Sequence, residues 1–206
     1  MEGEWASKGW EEHDETMQED AQKWLENRCE DLMRRVGVSA GMMVLDFGSN
    51  AGYYTRNVAK VVGETGKVYA LDKNEEALET VACTANEQDL NNIECLHVPE
   101  DQDDIPLPPA SIDMVLLYDV LHGGYFPESH QRRTILSRIH EVLKPRGLLS
   151  LYPTHLKKYG LTFEQILSEV KKTGFQLEDE ARRRLVHDGN LVRGRIFSFR
   201  REKEKL

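Results

Sequence analysis

Residues 42–52, with the sequence MMVLDFGSNAG, join a short apolar run to a glycine-rich turn. The run Met42–Phe47 is bounded by glycines, which is typical of a buried strand in a parallel sheet. The next segment, Tyr53 to Val62, has the apolar spacing of a helix. A tight turn of this kind lets the backbone approach a ligand, and the helix N-terminus adds oriented N–H groups. The residues expected to bind a cofactor here are Asp46, Gly48, Ser49, Asn50 and Gly52.

The turn has one irregularity, because Asn50 stands where a second glycine is common. Asparagine is among the few other residues that accept a left-handed conformation, so the turn is expected to survive. A glycine-rich turn is weak evidence by itself, since a purely structural turn has the same composition. Its position directly after an apolar strand strengthens the interpretation as a binding loop.

Beyond this unit, strands alternate with helices along the chain. Further strands are predicted at Lys67–Leu71, Ile93–Val98, Ile112–Tyr118 and Gly147–Tyr152. Helices are predicted from a capping box at Thr16, after the N-cap Asn74, over residues 127–143, and from a second capping box at Thr162 to near Gly174. This alternation predicts an α/β fold with a mostly parallel sheet that helices cover on both faces.

The C-terminal end departs from the alternation. Residues 183–187 and 191–199 both alternate apolar and polar side chains, and Asp188-Gly189-Asn190 separates them. This pattern predicts a hairpin whose last strand runs antiparallel to its neighbour. A purely parallel dehydrogenase-type sheet does not end in this way.

Two acidic positions extend the predicted cofactor site. Asp72, at the end of the second strand, lies about 20 positions beyond the turn, where a carboxylate can accept hydrogen bonds from ribose hydroxyls. After the third strand, the segment 100–104 is rich in acids, and a carboxylate there could accept a hydrogen bond from an adenine amino group. The sequence leaves open whether Asp101 or Asp103 has this role.

Together these segments resemble a known family. The stretches that stand in the order and spacing of its motifs are Val44–Tyr53, Leu71–Lys73, Asp101–Pro106, Ile112–Leu116 and Val142–Gly147. The family is the class I S-adenosylmethionine-dependent methyltransferases, and the chain looks most like the branch of quinone-biosynthesis C-methyltransferases and arsenite methyltransferases. The resemblance implies a Rossmann-like three-layer α/β/α sandwich, with a seven-stranded, mostly parallel sheet and an antiparallel last strand.

The resemblance also implies the cofactor and its contacts. S-adenosylmethionine would bind with its methionine end near Asp46 and Gly48 and its adenosine on Asp72 and Asp101. Lys73, Gln102 and Tyr118 complete the expected cofactor site. Residues 1–36 would form a tail and a lid helix around Trp24, and residues 37–206 would form the methyltransferase domain.

A sulfonium methyl group is strongly electrophilic, so transfer by direct in-line displacement needs a positioned acceptor and exclusion of water. His122 is the first candidate for orienting or deprotonating the acceptor, because it follows the fourth strand and has a free pKa of about 6.5. A packed structural histidine is the alternative interpretation. Asp119 and Tyr125 are the other catalytic candidates, and Tyr53 and His155 are weaker ones.

A small molecule is the expected acceptor. The Asn/Asp-Pro-Pro-Tyr motif of amino-group-methylating nucleic-acid enzymes is missing after the fourth strand, and the three cysteines are expected to be buried hydrophobic residues rather than arsenic ligands. Methylation of RNA or protein on a basic C-terminal face, and a non-catalytic regulatory protein that binds cofactor, remain the alternatives. The histidines show no ligand spacing, so no metal is predicted.

Composition supports a cytoplasmic location, since the sequence contains no apolar run near the roughly 20 residues that span a membrane and no signal peptide. The net charge of -9 is unevenly distributed, because residues 1–130 carry 27 acidic and 9 basic side chains whereas residues 131–206 carry 9 and 18. The acidic part would repel a long nucleic acid, which makes that partner unexpected. A homodimer is left open.

Overall fold

The computed structural model describes residues 19–99 and 104–202, which form a seven-stranded sheet with helices on both faces. The strands are β1 (Met43–Phe47), β2 (Lys67–Asp72), β3 (Ile93–His97), β4 (Ile112–Tyr118), β5 (Leu143–Tyr152), β6 (Phe175–His187) and β7 (Asn190–Arg201). The helices are α1 (residues 19–27 of the described chain), α2 (Cys29–Arg35), α3 (Tyr53–Val62), α4 (Glu75–Glu87), α5 (Ser129–Val142) and α6 (Phe163–Lys172). A 3₁₀ helix spans Leu156–Tyr159.

The strand order is β3-β2-β1-β4-β5-β7-β6. Strands β1 to β5 are parallel, and β7 is antiparallel to both β5 and β6. This arrangement confirms the predicted mostly parallel sheet with an antiparallel last strand. The order reverses between β1 and β4, and ligands of open α/β sheets bind at the carboxyl ends of strands beside such a switch point.

The central strands are buried on both faces, which explains their continuous apolar sequences. Met114 and Leu116 of β4 pack into one hydrophobic cluster, together with α3 residues such as Val58. Val115 and Leu117 point the other way and join a second cluster that includes residues of α5 and α6. The alternation of neighbouring side chains between two clusters shows that helices cover both faces of the sheet.

The structure differs from the sequence expectations at several places. Strand β6 begins at Phe175, eight residues before the predicted start at residue 183. Of the three cysteines that were expected to be buried, Cys29 is buried, Cys95 is half-buried and Cys83 is exposed. Within the described residues the first helix is interrupted at Arg28, and the predicted capping box at Thr16 lies outside the described residues. β5 begins at Leu143 rather than Gly147, because an irregularity shifts its register against β4 between Ile112 and Met114. None of the helices in residues 19–99 and 104–202 combines the length and apolar character needed to cross a membrane.

Candidate functional site

A cavity of about 580 Å³ lies at the carboxyl ends of β1, β2 and β4. Its volume falls within the range of about 300–1,000 Å³ that is common for small-molecule sites. The sequence-predicted residues that line it are Asp46, Gly48, Ser49, Asn50, Asp72, Lys73, Tyr118, Asp119 and Tyr125. Gly52 and His122 are not among the described residues that form its wall.

The glycine-rich loop is held in place by hydrogen bonds to the end of β2. The backbone N–H groups of Gly48 and Ser49 both donate to the carbonyl oxygen of Leu71, at 2.8 and 3.0 Å. The N–H of Asn50 donates to Oδ2 of Asp72 at 2.7 Å. Asn50 has a φ of 45°, so it adopts the left-handed conformation that the sequence predicted. The loop is therefore fixed by the protein itself before any ligand binds.

The two glycines of this loop are required by close packing as well as by backbone conformation. A Cβ atom at Gly48, where φ is +77°, would lie 2.4 Å from a methyl group of Val120. A Cβ atom at Gly52, where φ is +73°, would lie 2.8 Å from a methyl group of Val81. Gly52 is also the N-cap residue of α3 and supplies no side-chain cap to its first turn. The glycines therefore allow the loop to pack closely against the side chains of Val120 and Val81.

Asp46 connects the end of β1 to α3. Its side chain is buried and accepts a hydrogen bond from Thr55 Oγ1 at 2.6 Å. Burial raises the pKa of Asp46 from 3.8 to about 6, although the Thr55 hydrogen bond acts in the opposite direction. Ser49 is also buried in the cavity wall, and its Oγ has no hydrogen-bond partner among the described residues. Such a polar group suits a cavity that receives a polar ligand.

Asp72 links the loop to the start of α4. Its Oδ2 accepts from the Asn50 N–H, and its Oδ1 accepts from the Asn74 N–H at 3.0 Å. A carboxylate offers about four lone-pair sites, so two remain for a ligand in the cavity. Next to it, the Lys73 ammonium lies 5.2 Å from the centre of the Tyr125 ring. Asp72 can therefore brace the loop and bind ligand hydroxyls at the same time.

Asp101 and Gln102 lie outside the described residues, so their contacts with adenine stay predictions. The residues on either side of this gap, Val98, Pro99 and Asp104, line the cavity.

Tyr118 forms part of the buried floor of the cavity. Its hydroxyl shares a hydrogen bond of 2.8 Å with Ser150 Oγ, and its ring makes edge contacts with Tyr54 and Tyr152 at 5.2 and 6.1 Å. Burial raises the pKa of Tyr118 well above its usual range. The hydroxyl therefore stays protonated, and the residue offers its ring to the cavity.

His122 is buried, and the backbone N–H of Gly124 donates to its Nδ1 at 3.0 Å. Its ring stacks on Tyr159 with a centroid distance of 5.3 Å and an interplanar angle of 1°. Burial lowers the pKa of His122, which favours the neutral ring. These contacts fit the alternative interpretation of a packed histidine, and its catalytic role stays a prediction.

Asp119 lies at the cavity wall with two other histidines beside it. Its Oδ2 is 3.0 Å from His187 Nε2, and its Oδ1 is 3.6 Å from His155 Nε2. Asp188 joins the group, with its Oδ2 3.7 Å from His155 Nε2. The Asp119 carboxylate raises the pKa of His187 above its ordinary value. We call these four residues, Asp119, His155, His187 and Asp188, the His/Asp cluster.

The sequence interpretation ranked His155 low and did not select His187 or Asp188 as site residues. A signal was nevertheless present, because His155 follows β5 by three residues and Asp188 begins the β6–β7 turn. The hairpin turn is held over the cavity by Tyr54, whose hydroxyl donates to the Val186 carbonyl at 2.8 Å and accepts from the Val186 N–H at 2.9 Å. This pair of bonds connects α3 to β6 across 132 positions of sequence.

The described part of the N-terminal segment packs with α3 on one face of the sheet and does not line the cavity. Leu25, Cys29 and Leu32 belong to the same cluster as Val58 of α3, and Trp24 packs against it. No residue between 19 and 36 is among those that line the cavity. The lid role of this segment stays a prediction.

The chain is similar to known methyltransferases in sequence and in fold. The family model described as a methyltransferase domain matches residues 44–147, which include the glycine-rich loop, Asp72 and Asp119. A crystal structure of a SAM-dependent methyltransferase from Aquifex aeolicus superposes with a TM-score of 0.67, covering 90% of this chain and 97% of that one at 22% identity. This likeness shows that the fold is shared.

Curated relatives are similar over the same region. A demethylmenaquinone methyltransferase from Geobacillus stearothermophilus is 31% identical over 118 residues, which are 57% of this chain and 47% of the relative. A demethylmenaquinone methyltransferase from Lactococcus lactis is 32% identical over 142 residues, 67% of this chain and 53% of the relative. The chain thus spans about half the length of the curated relatives that it matches.

Proposed function

The chain belongs to the methyltransferase domain family, and from this premise we propose that it transfers a methyl group from S-adenosylmethionine to a small molecule. The family resemblance inferred from the sequence motifs is thereby confirmed. One observation carries the proposal: a single cavity contains the loop of residues 46–50 and the Asp72 carboxylate at one end and Asp119 at the other. The first end suits a cofactor, and the second end suits an acceptor.

The residues present fit S-adenosylmethionine. Ser49 Oγ, which is buried and has no partner among the described residues, can donate to the carboxylate of the methionine end. The two remaining lone-pair sites on Asp72 suit the two ribose hydroxyls. When bound, the cofactor supplies an electrophilic sulfonium methyl group. The protein holds it with a loop that is already fixed, which lowers the entropy lost on binding.

In-line displacement requires the acceptor atom to lie opposite the sulfur, in a site from which water is excluded. The acceptor's electron pair forms the new bond to carbon, and the electrons of the broken carbon–sulfur bond neutralise the sulfonium. An acceptor that carries a proton must also lose it. We assign orientation of the acceptor to Asp119 and Tyr125 at the cavity wall, and we assign His122 a positioning role beneath them.

An aromatic small molecule is the acceptor class that the walls favour. Val186 and the aromatic rings of Tyr118, Tyr125, Phe126 and Tyr152 line the cavity. These rings provide flat apolar contact area, which aromatic ligands use well. The curated relatives that carry the name demethylmenaquinone methyltransferase support the same class.

Two of the C-terminal arginines, which the alternative of a nucleic-acid acceptor would use, are paired with acids of the same hairpin. Arg195 lies 2.7 Å from Glu180, and Arg200 lies 2.7 Å from Glu178, so both charges are paired across the β6–β7 hairpin. A cytoplasmic location and a homodimer stay predictions.

The proposal is tested by incubating the purified chain with methyl-labelled S-adenosylmethionine and a cell extract that is fractionated by size. We expect label in the small-molecule fraction, and none above background for the Asp72→Ala variant. Label confined to the macromolecular fraction would refute a small-molecule acceptor. Failure to bind S-adenosylhomocysteine in calorimetry would refute the assignment of the cofactor site.

A further inference from the structure

The His/Asp cluster brings together four groups that commonly bind metal ions. Each of its residues offers one nitrogen or oxygen atom, and these atoms all lie within 4.8 Å of one another. The residues come from three parts of the chain: the end of β4, the segment after β5, and the β6–β7 turn. Convergence of this kind is independent of the glycine-rich loop and of the cofactor contacts.

The distances are close to those expected around a single ion. Bonds of about 2.0–2.2 Å in a tetrahedral site place neighbouring ligand atoms about 3.3 Å apart. Here the separations are 3.0 Å from Asp119 Oδ2 to His187 Nε2, 3.6 Å from Asp119 Oδ1 to His155 Nε2, and 3.7 Å from His155 Nε2 to Asp188 Oδ2. The two imidazole rings lie 4.8 Å apart between centroids. Asp119 presents a different oxygen to each histidine, and the four ligand atoms lie within 4.8 Å of one another, so the side chains must move closer to surround one ion.

The contact between His187 and Asp119 has the geometry either of a charged pair or of two ligands that face one ion. The His187 Nε2 is buried and lies 3.0 Å from the Asp119 carboxylate, yet it has no well-aligned hydrogen bond to any described residue. Two ligand atoms that face a common third atom have this geometry. The cluster contains two carboxyl groups, and both would attract a divalent ion placed between them.

The surrounding structure supports the ligands. Thr154 Oγ1 donates a hydrogen bond to Asp119 Oδ1, and the Asp119 backbone N–H donates to the Tyr152 carbonyl at 2.9 Å. Asp119, His155 and Asp188 all have a left-handed backbone, with φ values of 58°, 53° and 49°. The two-residue hairpin loop accounts for this conformation at Asp188. At Asp119 and His155 no hairpin loop requires it, and such conformations cost energy and concentrate at functional sites. Supporting hydrogen bonds of this type orient the ligands of metal sites.

We propose that Asp119, His155, His187 and Asp188 bind one divalent first-row transition metal ion of the Zn²⁺ type at the acceptor end of the cavity. Two imidazoles and two carboxylates suit such an ion better than Mg²⁺ or Ca²⁺, which prefer oxygen ligands alone. The sequence spacing predicted no metal site. The spacing could not reveal this one, because Asp119 and His155 approach the neighbouring His187 and Asp188 only in the folded sheet.

The ion would act on the acceptor, and this part rests on the proposed methyltransferase function. Asp119 and Asp188 both line the cavity, so an ion between them is accessible to a hydroxyl-bearing aromatic molecule. Coordination of the hydroxyl oxygen lowers its pKa, and the proton leaves to water near the exposed Asp188 side chain. The electron pair that this anion supplies would form the new bond to the methyl carbon, while the carbon–sulfur bond breaks and its electrons stay on the sulfur.

The test measures metal binding directly, with Co²⁺ as the probe. The full chain, produced without a histidine tag, is stripped with chelator and titrated with Co²⁺ while visible absorption and calorimetric heat are recorded. We expect one equivalent to bind with a dissociation constant of about 1 μM or lower, with d–d bands of a four- or five-coordinate ion. One equivalent of Zn²⁺ should displace it.

Two variants and one matched control test the assignment. His155→Ala and Asp188→Asn should each weaken Co²⁺ binding by at least about 10-fold. The Asp188 side chain is 67% exposed, so that variant is expected to fold even if the histidine variant does not. His130→Ala removes an exposed histidine of α5, outside the cluster, and should leave Co²⁺ affinity unchanged.

The outcomes separate this inference from the proposed function. No Co²⁺ binding at about 100 μM, or equal binding by the wild type and Asp188→Asn, overturns the metal site. S-adenosylhomocysteine is titrated into the same metal-free samples, because its predicted contacts are with the loop and Asp72. Cofactor binding without Co²⁺ binding leaves the proposed function standing, whereas Co²⁺ binding without cofactor binding refutes the function and not the metal site.

Discussion

Replacement of Asp46 by Asn should change how the stability of the protein depends on pH. Asp46 is 4% exposed, and burial raises the pKa of its carboxyl from 3.8 to about 6. Between these two values the folded state binds more protons than the unfolded state, so stability falls as pH rises through this window. Above the folded pKa, the ionised carboxylate remains buried and its full cost is present.

The size of the effect follows from the shift. A difference of about 2 pKa units corresponds to about 3 kcal/mol between the stability contribution of this group at pH 4 and at pH 7. Asn keeps an oxygen that can accept from Thr55, but it does not ionise. The variant should therefore become more stable relative to the wild type, by up to about 3 kcal/mol, as pH increases from 4 to 7.

The assay is urea denaturation followed by circular dichroism, at several pH values between 4 and 8, for wild type, Asp46→Asn and the control Glu79→Gln. Glu79 is an exposed acid on α4, so its variant should follow the wild type at every pH. The part of the stability difference between Asp46→Asn and wild type that does not change with pH measures the hydrogen bonds lost or gained in the variant. The reasoning fails if the Asp46→Asn difference changes by less than about 1 kcal/mol between pH 4 and pH 7.

Three further predictions concern the loop, its packing and a buried ion pair. Asp72→Ala should raise the dissociation constant of S-adenosylhomocysteine at least about 10-fold, since each charge-assisted hydrogen bond contributes about 1.5–3 kcal/mol; unchanged affinity in calorimetry contradicts the ribose assignment. Gly48→Ala should lower the free energy of unfolding by more than about 1 kcal/mol, because the added Cβ meets Val120 at 2.4 Å and φ is +77°. A thermal midpoint equal to that of wild type would show that the loop adapts. Arg132→Met should destabilise by about 3–5 kcal/mol, because it leaves the mostly buried Glu169, bonded at 2.8 and 2.9 Å, without its partner. Recovery in the double variant with Glu169→Met would identify the unpaired charge as the cause. Absence of recovery would contradict it and would point to the hydrogen bonds from Arg132 to the Phe126 and Pro127 carbonyls, which both variants lose.

The sequence predicted the structure closely where local sequence determines the secondary structure. The helix Tyr53–Val62 and the strand Ile112–Tyr118 have the expected bounds, because each is a run of uniform periodicity between turn residues. The hairpin was predicted with Asp188-Gly189-Asn190 between its strands, and the structure has it there with a two-residue loop, since Asn190 pairs with His187. The interruption at Arg28 was missed, since apolar spacing continues across it. The early start of β5 was missed because it depends on an irregular register with β4.

The two ends of the cavity also differ in how well the sequence predicted their residues. The cofactor end was predictable because its residues follow strands that the pattern identifies, and the loop bonds directly to the end of the neighbouring strand. At the acceptor end, proximity in sequence to β4 favoured His122. In the structure the His122 ring is buried and stacks on Tyr159. The spacing of apolar residues in the sequence could not predict this contact.

The acceptor end nevertheless follows from topology once the hairpin is known. Strand β7 is antiparallel to β5, and β6 is antiparallel to β7, so β6 runs in the same direction as β4 and β5. The carboxyl ends of β4, β5 and β6 must therefore lie at one edge of the sheet. That edge is also the binding edge of an open α/β fold. Any polar residue directly after these strands is thus a candidate for the acceptor site, which brings Asp119, His155 and Asp188 together although 69 positions separate the first from the last. The antiparallel strand that distinguishes this fold from a dehydrogenase-type sheet is the feature that brings the β6–β7 turn to the acceptor.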